Sequence, residues 1–389
     1  MTQITNNSEL HKLMREWRRD LHAHPETAYE EHRTAAIVAD LLTSFGLQVT
    51  TGMAVTGVVG TLKGKHEGSK SIALRADMDA LNLQELNDFA HRSKHAGKMH
   101  GCGHDGHTTM LLGAAKYLAE NRDFSGTVVF IFQPAEEGEA GAKVMCDEGL
   151  FKQFDVDAVY GMHNWPGLDE GKFAVHNTAV MASMDIFDIT LYGQGCHAGM
   201  PHLGIDPVIA STQLISALQT LISRELDPLK SGVVSVTKIH GGEAYNVIPD
   251  SVTISGTCRA FSLQVQDQIE ATIRQRVNGI CETYGVSADI DYHRRAPCTE
   301  NHPAQAAICT EVTQQLVGEE NVVLDMDPSM GAEDFAFMLL EKPGAYIWLG
   351  NGAIENGKGL HNPHYDFNDD VLPLGANFWI ALVQHQLAL

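Results

Sequence analysis

Positive charge is scarce in this sequence. Lysine and arginine number 27 against 49 aspartates and glutamates in 389 residues, a formal net charge of −22. That balance argues against nucleic acid and anionic membrane surfaces as partners and otherwise means solubility. Long apolar runs are missing, so no segment reads as a bilayer span. Met1-Thr2-Gln3-Ile4-Thr5-Asn6-Asn7 lacks the apolar core of a secretory signal. The 7 cysteines form an odd set without a short-range framework, which points to reduced thiols and a cytoplasmic location. There is no low-complexity tract and no internal repeat. Hydrophobic residues nevertheless make up 44%, enough for a real core, and the length implies two domains or slightly more.

What is present is concentrated in Met99-His100-Gly101-Cys102-Gly103-His104-Asp105-Gly106-His107. Cys102 and His104 are two apart, so a bent loop can turn both toward one point. Thiolate and imidazole are the ligands that borderline metals such as zinc prefer. The residues from His107 onward read as an amphipathic helix, and a helix N-terminus favours a thiolate. Taken alone, the stretch also fits a glycine-rich turn with incidental histidines.

Helical periodicity covers 8–22 and 30–45, and His22 and His24 between them read as polar helix-end residues rather than ligands. Strands are expected at 54–62, 71–77, 126–132 and 157–162, with helices after His104 and near 139–149. Alternation of this kind implies an α/β layer fold with a mostly parallel sheet, whose sites lie beyond the strand ends. Asp77, Asp79, Glu136, Glu137 and His163 occupy such ends. From about residue 184 the order changes to strand 184–193, helix 206–224, strands 232–240 and 251–261, helix 263–284 and strand 287–293. That is a ferredoxin-like α+β pattern. The α/β texture returns after Pro297, with helices near 303–317 and 331–340, a strand at 344–349 and a final helix at 373–387. We therefore expect one α/β domain in two halves, 1–183 and 295–389, with a smaller domain, 184–294, inserted between them.

Cys102, His104, Glu137, His163 and His361 form a donor set larger than one structural zinc requires. It suits two metals about 3.5–4 Å apart. Neighbouring side chains of an extended segment diverge, so Glu137 can bind metal while Glu136 serves as general base. The pair equally fits a solvated acidic turn. Asp77, Asp79 and Asp105 read either as partners orienting the metal-bound histidines or as ordinary capping polarity.

Cys102-Gly103-His104-Asp105, Pro134-Ala135-Glu136-Glu137-Gly138, Met162-His163-Asn164 and His361-Asn362-Pro363 resemble the amidohydrolase branch of the dinuclear aminoacylase/carboxypeptidase metallopeptidases. Arg75-Ala76-Asp77-Met78-Asp79, His197-Ala198-Gly199-Met200-Pro201-His202 and Gly331-Ala332-Glu333-Asp334-Phe335 extend the resemblance along essentially the whole chain. It implies a zinc-peptidase-like catalytic domain with an inserted lid and dimerisation domain. Two divalent cations are implied, zinc, manganese, nickel or cobalt, with Cys102 bridging them and His104, Glu137, His163 and His361 completing their shells. Glu136 would be the base. His197 would hold the scissile carbonyl oxygen across a dimer, and Asn246 and Arg259 would contact the substrate, with a carboxylate the expected group. The implied reaction is hydrolysis of N-acyl amino acids by a homodimer or homotetramer, with dipeptidase or carboxypeptidase activity as the family alternative. Asn82, Gly101 and Cys196 depart from the branch pattern without removing a ligand or the base.

Two rival readings are weaker. Gly193-Gln194-Gly195-Cys196-His197-Ala198 mimics a dinucleotide fingerprint, but Pro201 interrupts the required helix and no acidic partner completes it. A metal-binding protein without catalysis has no use for the uncoordinated carboxylate of Glu136.

Overall fold

The computed structural model describes residues 4–389. The chain divides into two compact units. The first comprises Met1–Thr178, Glu300–Asp327 and Asp334–Leu389, and the second Ala179–Thr299 with Pro328–Glu333.

The first unit is built on an eight-stranded sheet. Its four central strands, Ser125–Gln133, His66–Asp77, Ala158–Trp165 and Gly344–Gly350, are neighbours in that order and run parallel. Ala158–Trp165 and Gly344–Gly350 are buried almost throughout, as strands covered on both faces must be. Gly57–Lys63 joins antiparallel to Ser125–Gln133, and Gln48–Met53 closes that edge as the other arm of a hairpin. The hairpin arm is absent from the sequence expectation, because its exposed and half-buried residues show no alternation to read. Helix Glu9–Ala23 is capped by Ser8, whose hydroxyl accepts from the His11 amide, and buries Met14, Arg18, Leu21 and His22 along one face. Helix His104–Glu120 is buried on nearly all sides in its first three turns, which places its N-terminus inside the protein. Leu111, Leu112, Phe130, Ile347, Trp379 and Leu382 belong to one continuous core. The last helix before the final strand begins at Ala336 rather than 331, since Asp334 turns its carboxylate onto the Ala142 amide (2.9 Å) and the Gln133 side chain (2.8 Å).

The second unit has the expected β-α-β-β-α-β order. Its antiparallel sheet runs Gly232–His240, Ser251–Ala260, Met184–Tyr192, Ser287–Ala296. Every second residue of Ser251–Ala260 is buried, so the sheet presents one apolar face. Phe187, Ile189 and Ile254 on that face share a core with Leu214 and Leu218 of helix Pro207–Thr220 and Ile269 and Ile273 of helix Leu263–Tyr284. Pro328–Glu333 belongs with this unit. Ser329 bridges Met181, the Met330 carbonyl accepts from Arg259 Nε at 3.3 Å, and the Glu333 carbonyl accepts from the Thr299 hydroxyl. Among the described residues, no helix is long and apolar enough to cross a membrane.

Candidate metal centre

The parallel strands deliver their polar residues to one end of the sheet. Asp77 ends its strand, His163 sits near the end of Ala158–Trp165, and Gln133 leads directly into Pro134-Ala135-Glu136-Glu137. Helix His104–Glu120 begins at the same level, and Gly103 makes the turn into it at φ 96°. A Cβ on Gly103 would lie 2.3 Å from Asn164 Nδ2 and 2.6 Å from the Tyr365 hydroxyl, so only glycine fits. Asn164 in turn donates to the Cys102 carbonyl at 2.7 Å and accepts from Tyr365 at 2.7 Å. This pair holds the Cys102 turn in place.

All five donors of the expected set come together. Cys102 Sγ lies 3.4 Å from His163 Nε2, and His361 Nε2 lies 3.3 Å from Glu137 Oε1. Cys102, His104 and His163 form one group whose ligand atoms all lie within 4.8 Å of one another. Cys102, Glu137 and His361 form a second, and His104, Glu136 and Glu137 a third. Cys102 is shared by the first two groups, which is the arrangement a bridging thiolate requires. His361 takes φ 61°, a strained backbone for a non-glycine residue and one that clusters at functional sites.

The three aspartates part company. Asp79 touches two expected ligands. One of its oxygens is 3.3 Å from His104 Nδ1, and the other accepts from the Glu137 amide at 2.9 Å. Asp77 instead binds His107 Nδ1 at 2.6 Å and Arg75 at 2.7 Å, and lies 3.8 Å from His104 Nε2. Asp105 faces away, to His22 Nδ1 at 2.8 Å and Arg18 Nε at 3.1 Å. His22 lies in the last turn of its helix, as expected, but is not exposed. It is buried between Asp105 and Glu85.

The electrostatics of the donors suit a cation. Burial, then Glu137, Glu136 and Asp77, push the Cys102 thiol well above its usual range. Burial opposes protonation of His104, but Asp77, Asp79 and Glu137 outweigh it and raise its pKa to about 10. Burial and the neighbouring His107 hold His163 well below the usual imidazole value, while Glu137 raises His361. His104 Nε2 is buried without a hydrogen-bond partner. A divalent cation would take that lone pair and displace the protons from thiol and imidazole together. Sulfur, imidazole and carboxylate in one cluster thus fit a borderline cation such as zinc, nickel or cobalt.

His197, Asn246 and Arg259 belong to the second unit. His197 and Cys196 pair with Val247 and Ile248 in a short two-stranded ladder, and the Ala198 amide donates to the Asn246 carbonyl at 2.9 Å. His197 and Asn246 are thereby neighbours on an exposed surface. Arg259 Nη1 donates to Thr257 Oγ1 at 2.7 Å and to the Cys258 carbonyl at 2.9 Å. Among the described residues no carboxylate lies within ion-pair distance of it.

A cluster of thiolate, imidazole and carboxylate donors, buried at Cys102, His104 and His163 and opening to solvent at His361, beside a second carboxylate at the strand ends of a parallel sheet, fits a metal-dependent hydrolase. The chain belongs to peptidase family M20/M25/M40, whose sequence profile matches residues 73–385, and is a metal-dependent amide hydrolase of that family. It is 42% identical over 365 residues to a hippurate hydrolase of Campylobacter jejuni, covering 94% of each chain. Identity is also 42% over 380 residues to the IAA-amino acid hydrolase ILR1-like 2 of Arabidopsis thaliana, covering 97% of this chain and 85% of that one. A solved dinuclear metal-binding M20 peptidase of Bacillus subtilis superposes with a TM-score of 0.85 at 33% identity, over 97% of this chain and 98% of that one.

Sequence reasoning assigned no role to His107, Asn164 or Tyr365. His107 follows His104 by three residues on one helix face, a spacing that does signal proximity. Asn164 and Tyr365 are recruited across the fold, and nothing local marks them.

Proposed function

We propose that this protein hydrolyses N-acyl amino acids, cleaving the amide C–N bond to a carboxylic acid and a free amino acid. The observation that carries this reading is the Glu136-Glu137 turn, which sets two adjacent carboxylates against His104 within 4.8 Å. One can serve as a ligand and the other as a base. Relatives named for hydrolysis of hippurate and of IAA-amino acids support the substrate class.

Cys102, His104, Glu137, His163 and His361 would hold two divalent cations, zinc, manganese, nickel or cobalt, with Cys102 between them. Bound there, such a pair would supply Lewis acidity for the amide carbonyl and activation of a water. Glu136 accepts the proton of the attacking water and returns it to the leaving nitrogen. Asp79 fixes the ring of His104 and the backbone of Glu137. We assign His197 to the scissile carbonyl oxygen and Asn246 and Arg259 to the substrate carboxylate, the guanidinium offering a planar fork that no carboxylate among the described residues satisfies. Pairing of two chains through the inserted unit and a cytoplasmic location complete the reading, the latter supported by seven free cysteines.

The test is a hydrolysis panel of N-acetyl, N-benzoyl and indole-acetyl amino acids, their α-amides and dipeptides, with each metal restored to stripped protein. N-acyl amino acids with a free carboxylate should be cleaved fastest, and Glu136→Gln should keep its metals while kcat falls about 10²–10⁴-fold. Unchanged metal content with near wild-type turnover in Glu136→Gln would remove Glu136 as the base. Equal rates on acid and amide would reduce Arg259 to a structural residue.

A further inference from the structure

The turn that carries Glu136 and Glu137 is strained. Ala135 has φ 57° and Ala140 φ 55°, left-handed values that alanine avoids, and Glu137 and Gly138 leave helical geometry between them. Strain of this kind persists only where surrounding groups impose it. Three buried carboxylates hold the backbone of this turn. Asp79 accepts from the Glu137 amide at 2.9 Å and Asp334 from the Ala142 amide at 2.9 Å, while Glu31 Oε1 accepts from the Ala135 amide at 2.9 Å.

Glu31 is the least expected of the three. It precedes helix His32–Ser44, yet no side-chain hydrogen bond from it caps that helix. The capping work is done by Glu26, whose two oxygens accept from the Arg33 amide at 3.0 Å and the Thr34 amide at 2.8 Å. Glu31 is thereby left for a distant task. Its second oxygen accepts from the Thr56 hydroxyl at 2.6 Å, and the carboxylate is fully buried. Thr56 follows another left-handed pair, Ala54 (φ 46°) and Val55 (φ 72°). The next residue, Gly57, packs so closely that a Cβ there would lie 3.3 Å from Pro134 Cδ. Glu31 thus ties together two strained turns that meet at Pro134. Burial, with Asp79 nearby, outweighs the bonds from Thr56 and Ala135 and raises its pKa above the usual carboxylate value.

We propose that Glu31 is a positioning residue for Glu136: by holding the Ala135 amide it fixes the left-handed turn that aims the base. This inference rests on the reading of Glu136 as base given above. It assigns Glu31 no contact with substrate or metal, and Glu137 keeps its own anchor in Asp79.

Two variants of the full-length, metal-loaded protein test it. Glu31→Met keeps length and removes both acceptors, and Glu31→Gln keeps an oxygen for the Ala135 amide while the Thr56 hydroxyl can turn to accept from the new NH₂ group. Metal content, kcat, KM and amide hydrogen exchange over residues 135–141 are measured for each. Glu31→Met should retain both metals, exchange faster in that segment and lose about 10–100-fold in kcat with KM changed less than about threefold, since small misplacements of a reacting group have such effects. Glu31→Gln should recover wild-type exchange and most of kcat. Unchanged exchange in Glu31→Met overturns the clamp. Faster exchange with unaltered kcat, or equal loss in both variants, overturns the positioning role. Should Glu31→Met fail to fold, Thr56→Val, which frees the second oxygen, must show the same shifts at smaller amplitude or the proposal falls. If the wild-type protein cleaves no member of the N-acyl amino acid panel, the function is refuted and the positioning role with it, while exchange still decides whether the clamp exists.

Discussion

Asp79→Asn is the most informative single change at the candidate centre, because one carboxylate serves two ligands. Its oxygens face His104 Nδ1 at 3.3 Å and the Glu137 amide at 2.9 Å, and the side chain is buried. A carboxamide has one acceptor. If its oxygen stays on the Glu137 amide, its NH₂ faces His104 and favours the tautomer with the proton on Nε2, the nitrogen that must carry a lone pair to bind metal. If it flips, a buried backbone N–H of the Glu137 ligand faces another donor. Either way one hydrogen bond to a charged acceptor is lost, about 1.5–3 kcal/mol, or roughly 10–100-fold in metal affinity. Titration of stripped protein with chelator-buffered zinc or cobalt reads this directly, with a thermal melt of the metal-free protein to verify the fold. At saturating metal the variant should recover much of its turnover, since Glu136 is untouched. A metal affinity within about threefold of wild type would refute the claim that Asp79 orients these ligands.

Further outcomes are expected. Cys102→Ser should weaken both metal sites together, since the sulfur is shared by two of the three-donor groups and a hydroxyl is a poor substitute for a thiolate; loss of one ion with the other held normally would make Cys102 a terminal ligand. Arg18→Leu should destabilise the fold by about 3–5 kcal/mol in urea titrations near neutral pH, because it leaves Asp105 and Asp366 without their buried counter-charge. Burial opposes ionisation of Asp105, but Arg18 and His22 hold its pKa below the usual range, so its stabilising contribution exists above about pH 4 and fades as pH falls further. The Arg18→Leu deficit should therefore shrink on acidification, and a deficit that grows instead would contradict the pairing.

The alternation of strands and helices, the ferredoxin-like insertion and the donor residues themselves were legible in the chain, because each depends on local periodicity or on side-chain chemistry. Cys102-Gly103-His104 offers soft donors on a glycine-rich turn, and Glu136-Glu137 offers two adjacent carboxylates, before any contact is known. Other features were decided only by folding. Asp77, Asp79 and Asp105 look alike as acidic residues near strand and helix ends, yet only Asp79 reaches the orienting nitrogen of an expected ligand, while Asp105 turns to Arg18 and His22. His22 has the periodicity of a helix end but is buried because Glu85 and Asp105 arrive from elsewhere in the chain. Asn164, Tyr365 and Glu31 carry no local signal of their roles, since Asn164 and Glu31 act on backbone, and Tyr365 on the Asn164 side chain, more than sixty residues away. Sequence determines which chemical groups exist and the period on which they repeat. Which carboxylate faces which imidazole depends on the register of parallel strands and the direction of turns, and the tertiary structure alone decides it.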